Sequence, residues 1–253
     1  VGLNNHFLIQ GCEIINYLLE KSRVVTQSSM ERNYHIFYQL IAGADSATKK
    51  RLHLRPPSEF NYLNQSGCSI IDGVDDAAEF KDVLQAMATL QFSGSTVESM
   101  LKIIAGILLL GNITFDQGSD SSTSKISPKS KEDLAHAAEL LGVNPDMFAY
   151  CLTEKKMQVG KGSIISIVLS VAQAEENRDT IAKTMYSNMF DWTIVKVNAT
   201  LKSINPTQSG FAFLLGATGP NVNSLSKLPV PTQSSGGLVL SFQMLPSSAR
   251  GGA

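Results

Sequence analysis

The chain has 253 residues, with 21 Lys and Arg against 22 Asp and Glu, and three cysteines. A net charge of −1 supplies no long-range field for nucleic acid or an anionic membrane. Cys12, Cys68 and Cys151 are odd in number and widely scattered, which argues against a disulfide framework and for a reduced, cytoplasmic setting.

Taken in order, the chain opens with short apolar groups, Phe7-Leu8-Ile9 and Ile14-Ile15 around Gly11, which predict two strand-like pieces. No signal peptide pattern precedes them. Leu18 to Gly43 then reads as a strand end, a charged turn and a helix. Ser28 and Glu31 stand three apart ahead of an apolar-periodic run, the pattern of a capping box. Tyr34, Phe37, Tyr38 and Ile41 follow at helical spacing, so one face is a broad apolar stripe for the core. Gly43 is placed for a left-handed helix stop. His35, within this helix, is expected to be packed or hydrogen-bonded. Ala44 to Arg55 reads as a charged helical turn or loop stopped by Pro56-Pro57, and Phe60, Tyr62 and Leu63 as anchors in the polar loop beyond.

Asp76 with Glu79, Ser95 with Glu98 and Ser130 with Asp133 repeat the capping signal. Phe80, Val83, Leu84, Met87 and Leu90 mark the buried face of the first of these helices. The second, about 96–110, is apolar nearly all round, which implies burial on every side. Its strongest apolar run, Ile103 to Leu110, is too short to span a bilayer. Asp116 to Ser130 is Ser-rich and apolar-poor and predicts a solvated loop. The third helix, 134–141, closes at Gly142, and Asn144-Pro145 opens a short fourth.

Residues 154–168 change character. Three lysines and two glycines precede an Ile/Val alternation, the pattern of an exposed hairpin or projecting loop. A long helix follows from about 170 to 201, with Ile181, Met185, Met189 and Val197 on its apolar face. From Ser203 onward there is no acidic residue, and five of the nine prolines fall there. Residues 203–253 are therefore expected to be a low-complexity, irregular and disordered tail.

Catalytic arrangements are scarce. The string nearest a phosphate loop, Gly160-Lys161-Gly162-Ser163, lacks the first glycine, and no Ser follows Lys161 directly. No Gly-x-Ser-x-Gly elbow occurs, and His6, His35, His53 and His136 have no partners at metal-ligand spacing. The pair Asp75-Asp76 is best explained by helix capping. By themselves Lys155, Lys156 and Lys161 read as an ordinary solvated cluster.

Several strings carry a resemblance. LLEKSRVV (residues 18–25) with ERNYHIFYQL (31–40), DGVDDAAEF (72–80), LQAM (84–87), ILLLGNITF (107–115) and QAEENRDTIAKTMYSNMFDW (173–192) occur in this order. Together they resemble the myosin motor domain, from its central sheet through the upper actin-binding subdomain into the helix that joins the upper and lower halves. Leu109 departs from the His usual in the family. The implied fold is a predominantly α part of the myosin-type P-loop NTPase motor, with a few β-strands, over residues 1–202. Residues 203–253 do not match: the family continues into an acidic second switch, absent here, and the tail is expected to come from a misread exon or alternative transcript.

The resemblance implies an actin-based, ATP-driven motor of the cytoplasmic actin cytoskeleton, with filamentous actin and the remaining motor segments as partners. Nucleic acid and membrane are not expected as partners of this segment. ATP and magnesium belong to the complete motor; this chain lacks the phosphate loop and both switches, so it is expected to hold no cofactor and to be inactive alone. The alternative is a truncated non-motor product that binds actin weakly. The projecting loop touches actin in the family, which implies actin contacts for Lys155, Lys156 and Lys161. A family rule concerns the residue sixteen places before the Asp of a motif matched here by Asp179-Thr180-Ile181-Ala182-Lys183, which is Ser163. That position is acidic or becomes so by phosphorylation, and otherwise Ser163 is an unmodified loop serine. The Ser, with GSIISIVLSVAQA around it, resembles class I myosins.

Overall fold

The computed structural model describes residues 2–3, 9–159, 163–204, 233–234 and 237–238, with side chains for 12–158 and 165–201. The fold is predominantly helical, with a few short strands, as expected from the sequence.

Strands β1 (Gly2–Leu3) and β2 (Ile9–Gly11) pair antiparallel. Ile14-Ile15 forms no strand; Asn198 instead clamps the Ile14 backbone, its Oδ1 accepting from the N–H and its Nδ2 donating to the carbonyl, each at 2.8 Å. Helix α1 is His35–Gly43, so the Ser28–Glu31 pair is not its cap. Those residues close a turn, Glu31 N–H to Ser28 carbonyl, with Met30 in the left-handed region. Phe37, Tyr38 and Ile41 are buried, whereas His35 faces solvent on the opposite side of the helix. Gly43 does not adopt the left-handed stop. The glycine is needed for contact: a methyl group there would lie 2.6 Å from Phe80 Cβ. Helix α2 (Ser46–Arg51) follows at once, capped by Asp45. The anchors Phe60, Tyr62 and Leu63 are all buried.

Helices α3 (Asp76–Thr89), α4 (Gly94–Asn112) and α5 (Lys131–Leu141) begin near the predicted places, but their acids go elsewhere. Asp75 caps α3 and Ser93 caps α4, while Asp76, Glu98 and Asp133 pair with Arg32, Arg51 and Arg55. Glu79 accepts from Gln39 of α1. Ser130 makes no cap bond either; its hydroxyl accepts from the Thr114 amide. A carboxylate gains more from a guanidinium than from one backbone amide, so an arriving arginine outcompetes the cap. On α3 only Phe80 is fully buried; Val83, Leu84, Met87 and Leu90 are half-buried, since α1 covers one end of the helix.

Helix α4 is the centre of the core, with Leu101, Ile104 and the run Ile107 to Leu110 buried. As a whole helix it is long and apolar enough to cross a bilayer, but most of it is covered by the rest of the fold. The Ser-rich stretch is not an open loop: β3 (Phe115–Gln117) and β4 (Ser124–Ile126) pair as a hairpin with Asp120 bonding Ser122 in the turn. Helix α5 ends at Gly142 in the left-handed conformation, as predicted. Helix α6 (Pro145–Thr153) has Asn144 as cap and Pro145 at its first position. Strands β5 (Glu154–Val159) and β6 (Ser163–Val168) form the second hairpin, and helix α7 (Val171–Ile204) runs back across the core. The expected tail, 203–253, lies outside the described residues apart from the last turn of α7 and the two-residue strands β7 (Gln233–Ser234) and β8 (Gly237–Leu238).

The Arg32–Asp76 pair is the one to test, because the side chains are 2% and 14% exposed and Arg32 also lies 3.9 Å above the Tyr38 ring. Asp76→Ala is expected to cost about 3 kcal/mol by leaving a buried guanidinium unpaired, against about 1 kcal/mol for loss of the Asp75 cap in Asp75→Ala. Urea unfolding of the two variants measures the difference, and equal costs would refute the assignment.

Candidate functional site

The hairpin β5–β6 is held at its root from three directions. Leu169 N–H donates to Thr153 O at 2.8 Å, closing the base where α6 ends. Asn177 of α7 donates through Nδ2 to the carbonyls of Cys151 and Leu152, at 2.8 and 3.2 Å. Ser170 and Gln173 form a reciprocal capping box at the start of α7: Ser170 N–H donates to Gln173 Oε1 at 3.0 Å, and Gln173 N–H to Ser170 Oγ at 3.4 Å. Sequence reading passed over this Ser-x-x-Gln pair, although its spacing is the capping signal.

The register runs from Glu154 opposite Val168 to Val159 opposite Ser163. Successive strand residues point to opposite faces, so Lys155 and Lys156 separate. Lys155 shares the front face with Met157, Ile165 and Ile167, which are 44%, 43% and 40% exposed. Lys156 lies on the back with Glu154 and Ser166, its Nζ 6.0 Å from the Tyr150 ring centroid. Lys161 falls outside the described residues, and Ser163 opens β6, with its side chain outside them. The Gly-Lys-Gly-Ser string joins two antiparallel strands, whereas a phosphate loop joins a strand to a helix.

Helix α7 is locked to the core by a partly buried polar cluster. Tyr62 donates its hydroxyl to Asp179 Oδ1 at 2.6 Å, Arg178 Nε donates to the same oxygen at 2.9 Å, and Arg178 Nη1 donates to Ile113 O at 2.8 Å. Burial, with the Asp179 charge beside it, pushes the Tyr62 phenol far above its ordinary range. Burial also raises Tyr186, which stacks on Tyr34 with centroids 4.6 Å apart.

Two polar clefts lie on the surface of the described residues. A groove of about 390 Å³ between Lys21-Ser22 and α7 is lined by amines, hydroxyls and Asn188, with no carboxylate or imidazole. A second, about 250 Å³, holds His53, His136, Glu132 and Asp133 with no hydroxyl or thiol. Neither therefore places a hydroxyl or thiol beside an imidazole or carboxylate. His53 and His136, distant in sequence, stack at 3.6 Å between ring centroids, but no group of three or more metal-ligating side chains forms among the described residues.

Comparison with known proteins agrees with the sequence resemblance. A family model described as the myosin head (motor domain) matches residues 1–222, past the boundary expected at residue 202. The chain is 37% identical over 204 residues to Myosin-1 of Pyricularia oryzae, covering 81% of this chain and 17% of that protein. It is 39% identical over 200 residues to Myosin-I heavy chain of Dictyostelium discoideum, covering 79% and 8%. Against Myosin-B/C of Toxoplasma gondii it is 36% identical over 236 residues, covering 90% and 20%. The chain thus spans a fifth or less of the length of each of these relatives.

Tyr62→Phe is expected to destabilise the fold by about 1–3 kcal/mol, because Asp179 loses a donor while remaining partly buried. Because the folded phenol is raised above its unfolded value, its contribution is complete below about pH 10 and is lost as pH climbs past that. Unfolding free energies measured from pH 8 to 11 should fall more steeply at the alkaline end for the wild type than for Tyr62→Phe.

Proposed function

The chain belongs to the myosin head family, and from that premise we propose that it supplies part of the actin-binding surface of an ATP-driven motor through the hairpin β5–β6. The observation that carries this reading is the front face of the hairpin. An exposed apolar triplet, Met157, Ile165 and Ile167, stands beside Lys155 on an element whose root is fixed by Asn177 and Leu169. Contiguous exposed apolar side chains on a rigid projection, flanked by charge, have the anatomy of an interface core and rim. Lys155 and Lys161 steer toward the acidic surface of actin, and the apolar triplet supplies the contact area. The site of action is then the cytoplasmic actin cytoskeleton.

ATP and magnesium are held, in this reading, by segments of the motor that this sequence does not contain, and the chain supplies no catalytic group. Its part in turnover is to couple actin contact to α7. Ser163 sits where a negative charge would strengthen the contact with basic groups on actin. Phosphorylation there adds close to two negative charges at the open end of β6.

Actin-activated ATP turnover of a motor carrying this sequence tests the reading. Ser163→Glu is expected to exceed Ser163→Ala several-fold, and Lys155→Gln to raise the actin concentration needed for half-maximal activation. Equal rates for the Ser163 pair would remove the regulatory role, and unchanged actin dependence in Lys155→Gln would remove the contact.

A further inference from the structure

Among the described residues, the back face of the hairpin carries an interaction chain that the front lacks. Tyr150, in the last turns of α6, has its hydroxyl 2.5 Å from Ser166 Oγ, and Ser166 donates to Glu154 Oε2 at 2.5 Å. Ser166 has one hydroxyl proton and gives it to the carboxylate, so the Tyr150 phenol is the donor to Ser166. The result is a relay from phenol to hydroxyl to carboxylate in which each bond polarises the next. It ties β6 to β5 and both to α6, above the root bonds made by Leu169 and Asn177. Lys156, directly opposite Ser166 in register, lies against the Tyr150 ring at the outer limit of a cation–ring attraction.

We propose that Tyr150, acting through Ser166 and Glu154, is a positioning residue that sets the pitch at which the hairpin meets actin. Lys156 is a strut against its ring and makes no actin contact. The proposal rests on the reading of the hairpin as an actin-contacting element, and divides its two described lysines into one contact and one support. A contacting lysine contributes to affinity and to its salt dependence; a positioning group contributes to affinity alone.

Co-sedimentation of the full chain with filamentous actin over a series of salt concentrations separates these roles. Tyr150→Phe keeps the ring and removes the donor, and is expected to weaken binding about three- to tenfold at every salt concentration, with the slope against salt unchanged. Ser166→Ala, which cuts the same relay at its middle, should reproduce that loss. Lys155→Gln should flatten the slope, and Lys156→Gln should leave it at the wild-type value. Hydrogen exchange distinguishes positioning from a general loss of fold: amides of β5 and β6 should exchange faster in Tyr150→Phe while those of α4 keep their protection. Wild-type binding by Tyr150→Phe, or a slope in Lys156→Gln as flat as in Lys155→Gln, would overturn the proposal. If Lys155→Gln and a Met157→Ala/Ile165→Ala pair also bind as wild type, the actin reading itself fails and the proposal falls with it.

Discussion

Tyr62 donates its hydroxyl to Asp179 from inside the core, and three separate parts of the chain take their position from it. Its carbonyl accepts from Asn33 Nδ2 at 2.9 Å, next to the start of α1. Its ring covers Gly111 so closely that a Cβ there would lie 2.6 Å from it, which fixes the end of α4. Its phenol must find an acceptor once buried, and a carboxylate is the strongest one available; that carboxylate in turn needs Arg178 to offset its desolvation. On α7, three consecutive residues then fasten to three elements. Asn177 bonds the end of α6, Arg178 the carbonyl after α4, and Asp179 the Tyr62 loop. Successive helical residues point about 100° apart, so this triplet holds the helix on three sides and sets both its rotation and its height.

The same logic, applied at the surface of the core, explains how the segment 32–55 gathers the other helices. Arg32, Arg51 and Arg55 each take a carboxylate near the start of a different helix, α3, α4 and α5. Asp76 and Asp133, in the first turns of α3 and α5, already favour the macrodipole, so those two ion pairs add to local preference instead of opposing it. Their weights differ with exposure. The Arg51–Glu98 pair is wet and contributes little, whereas Arg32 and Asp76 have no water to return to if separated.

The hairpin shows how far this scaffold reaches toward function. Its root is continuous with α6 and α7, and α7 is registered by Tyr62, so the projecting face inherits its orientation from a buried phenol through a chain of rigid pieces. If the hairpin makes the proposed contact, its root in α6 and on the locked α7 gives that contact a physical path into the core.

Much of this was legible in the sequence, and some of it could not be. Apolar spacing foretold α1, the long α7 and the all-round burial of α4, which holds for its second half, Ile104 to Gly111, while its first turns are half-buried or exposed; Asn144-Pro145 and Gly142 marked a start and a stop; the Ile/Val alternation foretold the hairpin. That Lys155 and Lys156 point apart follows from strand period alone. The destinations of the polar side chains were not legible. Ser28 with Glu31 and Ser130 with Asp133 have the same spacing as Ser170 with Gln173, yet only the last forms a reciprocal box. Periodicity and turn chemistry act between near neighbours and are therefore written locally. A carboxylate, a phenol or a close-packed glycine answers to whichever distant group arrives, and only the folded chain decides which group that is.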